Sequence, residues 1–556
     1  MSGPASTLVW LGLLPGCEAV ALDFLTPPDI STKFPRPFLY GIVGISFFAW
    51  VVYRTWIYPF LLSPLRYLPE PKGGLPIIGH MHLRVARPVG EEPLKWIQEH
   101  PDADLIRLRG FLNSEALCMI GPQAIAEVLV TKNYDFIKPP KAAGFLARVL
   151  GNGLVVVEGD VHKFQRKHIQ PSFNFRHIKE LYPIFWRKSV DVVKRIRADL
   201  VDEASKTPPG VSELSFWAPK VTLDLIGIAG IGRDFHTVIS NEDELAQTYE
   251  KIMEPRFEIF LLFSLTVLGA RWALKLLPTD ARNVDRWFTL QTDKLRDLCR
   301  QLVVEKKRWM KATGEDSADL LSKLIQSNNF SDNELVDQVL TFLAAGHETT
   351  SSTFEWATYL LARHPEIQSR LRAEIRDHLP YGISANLKDV DLGEILESMP
   401  FLNGVCSETF RLYPTVAQTL RVAARDTSIM GYPIPKDTLI AVPIYGLNRS
   451  PKLWGPDSES FDPSRWIDKD TGKSNNSGGA DGNYSFMTFL HGPRTCIGQG
   501  FARAELRALI AAFVGAFEME LEDDSYRPIR TGVVTTKPSK GMPLKLKVVG
   551  EWSKAH

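Results

Sequence analysis

The sequence predicts a mainly α-helical catalytic domain with a small β portion, and three observations carry that expectation. From about Val161 onward apolar residues recur at helical spacing, and strand signals are sparse until residues 438–444. One helix is unusually long. Ser331-Asp332-Asn333-Glu334 fits the S-x-x-E capping box, no proline interrupts the run to Arg363, and His364-Pro365 ends it, about thirty residues in all. Globular helices average roughly 11–12 residues, so this one is expected to cross the whole molecule. Strand character is concentrated upstream, where Leu105–Arg109 alternates apolar with basic residues and 116–120 follows after a turn, a β-hairpin pattern.

Composition narrows the class. The chain has 556 residues, enough for one large catalytic domain or two to three average ones. Hydrophobic residues at 44% and charged residues at 23% are ordinary for a globular protein, and a net charge of +1 provides no field for nucleic acid. The five cysteines (Cys17, Cys118, Cys299, Cys406, Cys496) are scattered without a C-x-x-C pair. Neither a disulfide framework nor a structural zinc site is indicated, and a reducing, cytosol-facing domain is expected. Sequons such as Asn329-Phe330-Ser331 are then chance.

Taken in order, the chain opens with an apolar run at 8–14. It lacks a basic flank and is followed by Glu18 and Asp23, so it makes a poor signal peptide. The run 38–53 is uncharged and rich in aromatics. It is somewhat shorter than the roughly 20 residues of a spanning helix, but apolar character resumes past Arg54 through Trp56, Tyr58, Phe60 and Leu61. Residues 1–66 are therefore expected to form a membrane-anchor region and 67–556 the catalytic domain, with the Pro- and Gly-dense stretch 68–79 as a stiff turn after the anchor. The glycines of 227–232 lack the G-x-G-x-x-G spacing and a preceding strand, which argues against dinucleotide binding. Residues 257–277 are strongly apolar, but Arg256, Glu258 and Arg271 disfavour a second span. Core packing is the expectation there, ahead of an interfacial segment.

The chemistry points to Cys496. In Phe489-Leu490-His491-Gly492-Pro493-Arg494-Thr495-Cys496-Ile497-Gly498 the glycines punctuate a tight loop, and the cysteine stands where that loop turns into a helix. A thiol there faces unpaired N–H groups and the positive end of the helix dipole, with Arg494 nearby, so it is expected to ionise more easily. Such a sulfur is a nucleophile or a metal ligand; a core thiol would not need the surrounding pattern. In the middle of the long helix, Ala344-Ala345-Gly346-His347-Glu348-Thr349 sets an acid and an alcohol in apolar surroundings. The glycine costs about 1 kcal/mol relative to alanine. The small residues are expected to leave a notch, and Thr349 to loosen the helical ladder. Glu408 and Arg411, at i and i+3, share a helix face, and Arg465 follows downstream.

Together Phe489, Gly492, Arg494, Cys496 and Gly498 resemble the F-x-x-G-x-R-x-C-x-G pattern of the cytochrome P-450 family. The resemblance, through four separated motifs in the family's order, implies the heme-thiolate fold, with heme b between the long central helix and the cysteine loop. It implies that Cys496 is the axial ligand of the heme iron, and that Glu348 and Thr349 relay protons during oxygen activation. Glu408, Arg411 and Arg465 would lock the core, while Arg494, Arg421 and Arg166 would serve the propionates. His162 stands where the family's W-x-x-x-R pattern has tryptophan, a departure that keeps a donor but is expected to make the contact pH-sensitive. Lys163 and Lys167 would belong to a docking face or to a solvated one.

The implied activity is insertion of one oxygen atom from O2 into a lipophilic small molecule, with NADPH-derived electrons from a separate NADPH–cytochrome P-450 reductase, or from cytochrome b5 as a second donor. About 60 residues follow Cys496, too few for a flavin domain of its own. The resemblance is strongest to fungal members that tailor terpenoids, polyketides or alkaloids, on the endoplasmic reticulum membrane and facing the cytosol. A fatty-acid or xenobiotic hydroxylase, and a reductase-independent isomerase or peroxygenase, are the alternatives. No nucleic-acid partner is implied.

Overall fold

The capping box closes as expected. The Ser331 N–H donates to the Glu334 carboxylate at 2.8 Å while Ser331 Oγ accepts from the Glu334 N–H at 3.4 Å, and the helix Asp332–Arg363 begins there and runs 32 residues. At 1.5 Å per residue it is about 48 Å long. These features come from a computed structural model, which describes residues 36–201, 208, 210–254, 256–276, 279–314, 318–379, 390–480, 482–532 and 534–550. The run 8–14, Cys17 and Val533 lie outside the described residues.

Most side chains of the long helix are buried, because other helices surround it. Leu214–Ile226 packs along it, and Gln499–Ala516 crosses it with Phe354 and Phe513 edge to face at 5.4 Å. Phe175–Asp199 backs Gln499–Ala516 through Phe185 and Phe501 at 5.0 Å. Aromatic pairs of this kind add specific geometry to the apolar area they bury.

The expected hairpin pairs Leu105–Arg109 with Glu115–Met119. It is one edge of a five-stranded sheet that continues through Leu439–Val442, Thr419–Ala423 and Phe136–Ile137. A second sheet near the C-terminus sets Pro543–Val548 between Val211–Glu213 and Phe517–Leu521. The fold is mainly helical with a small β portion.

The first described helix, Arg36–Val52, continues through Tyr53–Leu62. Tyr40–Leu62 is long and apolar enough to cross a bilayer and turns large side chains outward, Ile45 and Phe48 among them. Its end is stitched to the first hairpin. Arg107 Nη2 donates to Pro59 O at 2.6 Å, Asn113 Nδ2 to Thr55 O at 2.8 Å, and Ser63 Oγ to the Glu115 carboxylate at 2.7 Å. Leu214–Ile231 is also long and apolar, but 72% of it is buried, as expected of a core helix. A Cβ at Gly227 would lie 2.6 Å from Arg233 O, so that glycine permits a close backbone approach within the turn.

The expectation of core packing for 257–277 is corrected. The helix Phe257–Leu268 buries only Leu262 fully, and Phe257, Trp272 and Leu276 stand at least half exposed. Arg256 and Glu258 mark where the segment meets water, but they do not draw its apolar face into the core.

Candidate active site

The loop before Gln499–Ala516 is held by its own backbone. The Cys496 N–H donates to Phe489 O at 2.8 Å, and Thr495 Oγ1 donates to Phe489 O and Leu490 O at 3.2 and 3.0 Å. The Phe489 ring packs against Phe410 at 5.0 Å, fixing the start of the loop. Gly492 has φ of 71°, and a Cβ there would fall 2.4 Å from Leu129 O, so no other residue fits. A Cβ at Gly498 would lie 3.9 Å from Cys496 Sγ.

Cys118, Cys299 and Cys406 are buried, with thiols pushed up to about 12 by desolvation, whereas the Cys496 side chain is exposed. Protein packed around the sulfur still desolvates it and raises its thiol as well, against the pull of the Gly498 N–H and Arg166. The expectation of easier ionisation is thereby corrected: the helix terminus and Arg166 moderate the burial and do not overcome it. A bound metal ion would complete the deprotonation, since a coordinating thiol loses its proton outright.

Beside the loop lies a cationic cluster. Arg166 Nη1 donates to Thr495 O at 2.6 Å, and Arg494 Nη1 donates to Val157 O at 3.1 Å while its Nη2 pairs with Glu158. Lys138 Nζ pairs with the same carboxylate at 3.0 Å. Arg421, on the strand Thr419–Ala423, donates to Thr419 Oγ1 and Leu420 O, both at 2.8 Å. Burial and neighbouring cations lower Lys138 to about 8 and Arg421 to about 10. His162 sits among them, lowered to about 4 by burial and then by Arg494 and Lys138, with Nδ1 buried and unpartnered. In these surroundings His162 is a neutral imidazole at neutral pH and gains its proton only as pH falls toward about 4. The cluster has several cations, one orphaned imidazole nitrogen and a single carboxylate, and is therefore short of anions.

Opposite the cluster, Phe173 joins the two walls. Its ring meets Phe342 of the long helix at 5.8 Å and would stand 4.0 Å from a Cβ at Gly498. One turn beyond Phe342 the helix is open at Ala345, with Glu348 and Thr349 half-buried beside it. Gly346 is not part of that opening: a Cβ there would strike Ile226 at 2.7 Å, so its missing side chain lets Leu214–Ile226 pack close. The Thr349 hydroxyl donates to Ala345 O at 2.7 Å, the expected diversion of the ladder. Glu348 is held from outside its helix, where Thr535 Oγ1 donates to Oε2 at 2.7 Å and Lys537 Nζ lies 3.8 Å from Oε1. Sequence reasoning found neither partner, nor Lys138 and Glu158, since nothing local marks them.

Behind the loop, Glu408 and Arg411 are completely buried. Arg411 Nε and Nη2 donate to the two Glu408 oxygens at 2.8 and 2.7 Å, and Nη1 reaches Asn448 O and Ser458 O. The Trp466 indole donates to Glu408 Oε2 at 2.8 Å, and Arg465 Nε comes to 3.5 Å of Oε1 while its Nη2 holds Asp457 at 2.7 Å. A bidentate ion pair with each oxygen bonded again fixes where the loops 448–466 run.

The donor chemistry suits heme. Among the described residues no group of three or more His, Cys, Asp or Glu is placed to hold a metal ion. An iron at Cys496 would thus bring its own equatorial ligands, and propionates would supply the anions that the cationic cluster lacks. The family model for cytochrome P-450 matches residues 69–545. The chain belongs to the cytochrome P-450 family.

Its relatives agree. It is 40% identical over 544 residues to cytochrome P-450 monooxygenase sphH of Aspergillus fumigatus, covering 96% of this chain and 98% of that one. It is 38% identical over 508 residues to cytochrome P-450 monooxygenase ptmK of Penicillium ochrochloron, covering 91% and 98%. The protein is accordingly a heme-thiolate monooxygenase that uses O2, electrons from a redox partner and a small-molecule substrate.

Proposed function

We propose that this enzyme oxidises a lipophilic secondary metabolite, a terpenoid, polyketide or alkaloid, by inserting one oxygen atom at the cleft between Cys496 and Ala345. The observation that carries the reading is the accessible sulfur beside an anion-poor cationic cluster, joined through Phe173 to the long helix that holds Glu348 and Thr349. When bound there, heme supplies the electron transfer and oxygen activation, and a thiolate ligand favours O–O cleavage. Cys496 is the ligand in this reading. Arg494, Arg421 and Arg166 hold the propionates, and the unpartnered His162 Nδ1 is free to add a neutral contact. Phe489, whose carbonyl accepts the Cys496 N–H, and Gly498, which leaves the space beside the sulfur free, would shape the loop that presents the ligand. Glu348 and Thr349 hold protons at a carboxylate and a hydroxyl within one helical turn, the arrangement that general acid work requires.

The residues that correspond to the family's pocket-lining positions, Phe342, Val416, Ala417 and Val534, are apolar and favour a lipophilic substrate. The fungal relatives favour a tailoring role over fatty-acid or xenobiotic hydroxylation. Lys163, Arg166 and Lys167 line an open groove with Pro493 of the cysteine loop, a basic face suited to an NADPH-dependent reductase or cytochrome b5. The apolar helix Tyr40–Leu62 supports anchoring to the endoplasmic reticulum, with residues 1–66 as anchor region and 67–556 as catalytic domain. Two measurements test the reading. Reduced enzyme with carbon monoxide should show the red-shifted thiolate-type band, and a deletion strain should accumulate the unoxidised precursor. Turnover that persists without reductase and NADPH would instead establish an isomerase or peroxygenase.

A further inference from the structure

Seven residues beyond Glu348, and so on the same face of the long helix, lies a second acid that the activity described above does not use. Glu355 is 3% exposed. Ser215 Oγ donates to its Oε2, and Ser351, one turn back toward Glu348, hydrogen-bonds its carboxyl. Ser351 is thus at i+3 from Glu348 and i−4 from Glu355, neighbouring positions on a helix surface.

The hairpin that pairs Arg530–Thr531 with Lys537–Pro538 covers this face. Thr535 donates to Glu348, Ser352 Oγ donates to Thr536 O at 2.5 Å, and Lys537 approaches Glu348 while acting electrostatically on Glu355. At the other end Glu213, half-buried, accepts from the Ser215 and Met542 N–H groups at 3.0 and 2.6 Å. Tyr526 also faces the carboxyl, its hydroxyl spent on Gly541 O. Among the described residues, the charged and titratable groups that act most on Glu355 are therefore Lys537, Glu213 and Tyr526. Hydroxyls and carboxyls form a lane along one helix face, from half-buried Ser215 to the notch.

We propose that Glu355 is the proton-loading residue of this enzyme, passing a proton along the Ser351 face to Glu348 and being reloaded from water beside Ser215. The proposal rests on the reading of Glu348 and Thr349 as the proton relay. Glu355 acts through Glu348 and does not touch the reacting atoms. In the step, the O–H bond of the Glu355 carboxylic acid breaks as Ser351 takes that proton. The original Ser351 proton passes to the Glu348 carboxylate, directly or through one water. Glu348 ends protonated, Glu355 ends as a carboxylate near the Lys537 ammonium, and water returns the proton by way of Ser215. Burial, opposed by Ser215 and Lys537, raises Glu355 to about 7, so it holds a transferable proton near neutral pH.

The test uses holoenzyme with its reductase, comparing Glu355→Gln, Ser351→Ala and Thr349→Ala. Wild-type infrared spectra at pH 6 should show a carboxylic-acid carbonyl band that weakens by pH 8 and is absent in Glu355→Gln. Glu355→Gln should keep the carbon monoxide spectrum but leak several-fold more peroxide per NADPH, and its coupling should lose the decline that wild type shows as pH rises through about 7. Ser351→Ala should leak in the same way with the infrared band intact, which keeps the proposal testable if Glu355→Gln fails to bind heme. A missing band at pH 6, or wild-type coupling and an unchanged pH profile in Glu355→Gln and Ser351→Ala, would overturn the lane. If Thr349→Ala leaks peroxide while the other two stay coupled, the lane fails and the Glu348–Thr349 relay stands. If Thr349→Ala is fully coupled, the relay itself is wrong.

Discussion

Desolvation acts on Glu355 and His162 in opposite directions, and their contributions to stability oppose each other over nearly the same pH window. The folded chain keeps the Glu355 proton up to about pH 7, whereas an unfolded glutamate releases it near 4.5. Between those values the folded state binds the extra proton, so this residue's contribution to stability falls as pH rises, by up to about 3 kcal/mol. Glu355→Gln removes that loss: relative to wild type, its denaturant midpoint should improve steadily from pH 4.5 to pH 7 and then level off. A constant offset between the two proteins would show that the carboxyl is not desolvated. For His162 the folded value is depressed, so the unfolded chain binds more protons between about 4 and 6.5, and stability from this group is lost as pH falls through that window. Thr349→Ala belongs to the same scale. Its hydroxyl bonds only the Ala345 carbonyl within its own helix, so melting temperature and carbon monoxide spectrum should stay near wild type while peroxide release rises. Loss of the spectrum in Thr349→Ala would make the residue structural.

At the scale of elements, the pair Glu408–Arg411 on Pro400–Leu412 fixes the loops 448–466 against the helix that carries Arg411. Arg411→Ala would leave Glu408 as a buried charge facing only an indole N–H, one backbone N–H and Arg465, at a cost of about 3–5 kcal/mol. Arg411→Lys should fare little better, since one ammonium cannot reproduce a fork that meets two carboxylate oxygens and three carbonyls. Both should be read as lost heme incorporation in expressed protein, with Arg465→Lys milder because half of its bonding is to the exposed Asp457.

Elements whose signals are local were legible in the chain: the capping box at Ser331, the stop at His364-Pro365, and the glycines and cysteine of the 489–498 loop. What stayed hidden depends on partners far apart in sequence. Glu158 meets Arg494 across 336 residues and Thr535 meets Glu348 across 187, and neither carries a local mark. Gly346 looked like room for a ligand because a sequence cannot show that Ile226 fills the space. The strand Phe517–Leu521 does alternate buried and exposed, but it follows Gln499–Ala516 with no breaker between them, so no local signal marks where the helix stops.

For the molecule as a whole, the helix ending at Leu62 has two functions that meet within it. Its first part, Arg36–Val52, presents apolar side chains outward, while Thr55, Pro59 and Ser63 bond to the first hairpin and so belong to the catalytic body. The boundary proposed at residue 66 therefore differs from the safe place to cut. Removal of residues 1–52 should leave a folded enzyme with a normal carbon monoxide spectrum. Removal through Leu62 would strand the buried Arg107 donor that reaches Pro59 O, at about 1–3 kcal/mol, take away one of the two carbonyls that Asn113 Nδ2 holds, and should lower heme content. Cutting at 52 should also not free the protein from membranes completely. Phe257, Trp272 and Leu276 remain exposed, and an apolar surface of this kind partitions into a lipid interface. In vesicle flotation the 1–52 deletion should bind weakly, and adding Phe257→Asp with Trp272→Asp should abolish the remainder. If the deletion alone already fails to float, the exposed 257–276 face does not touch lipid, and the helix before Tyr53 accounts for all of the membrane affinity.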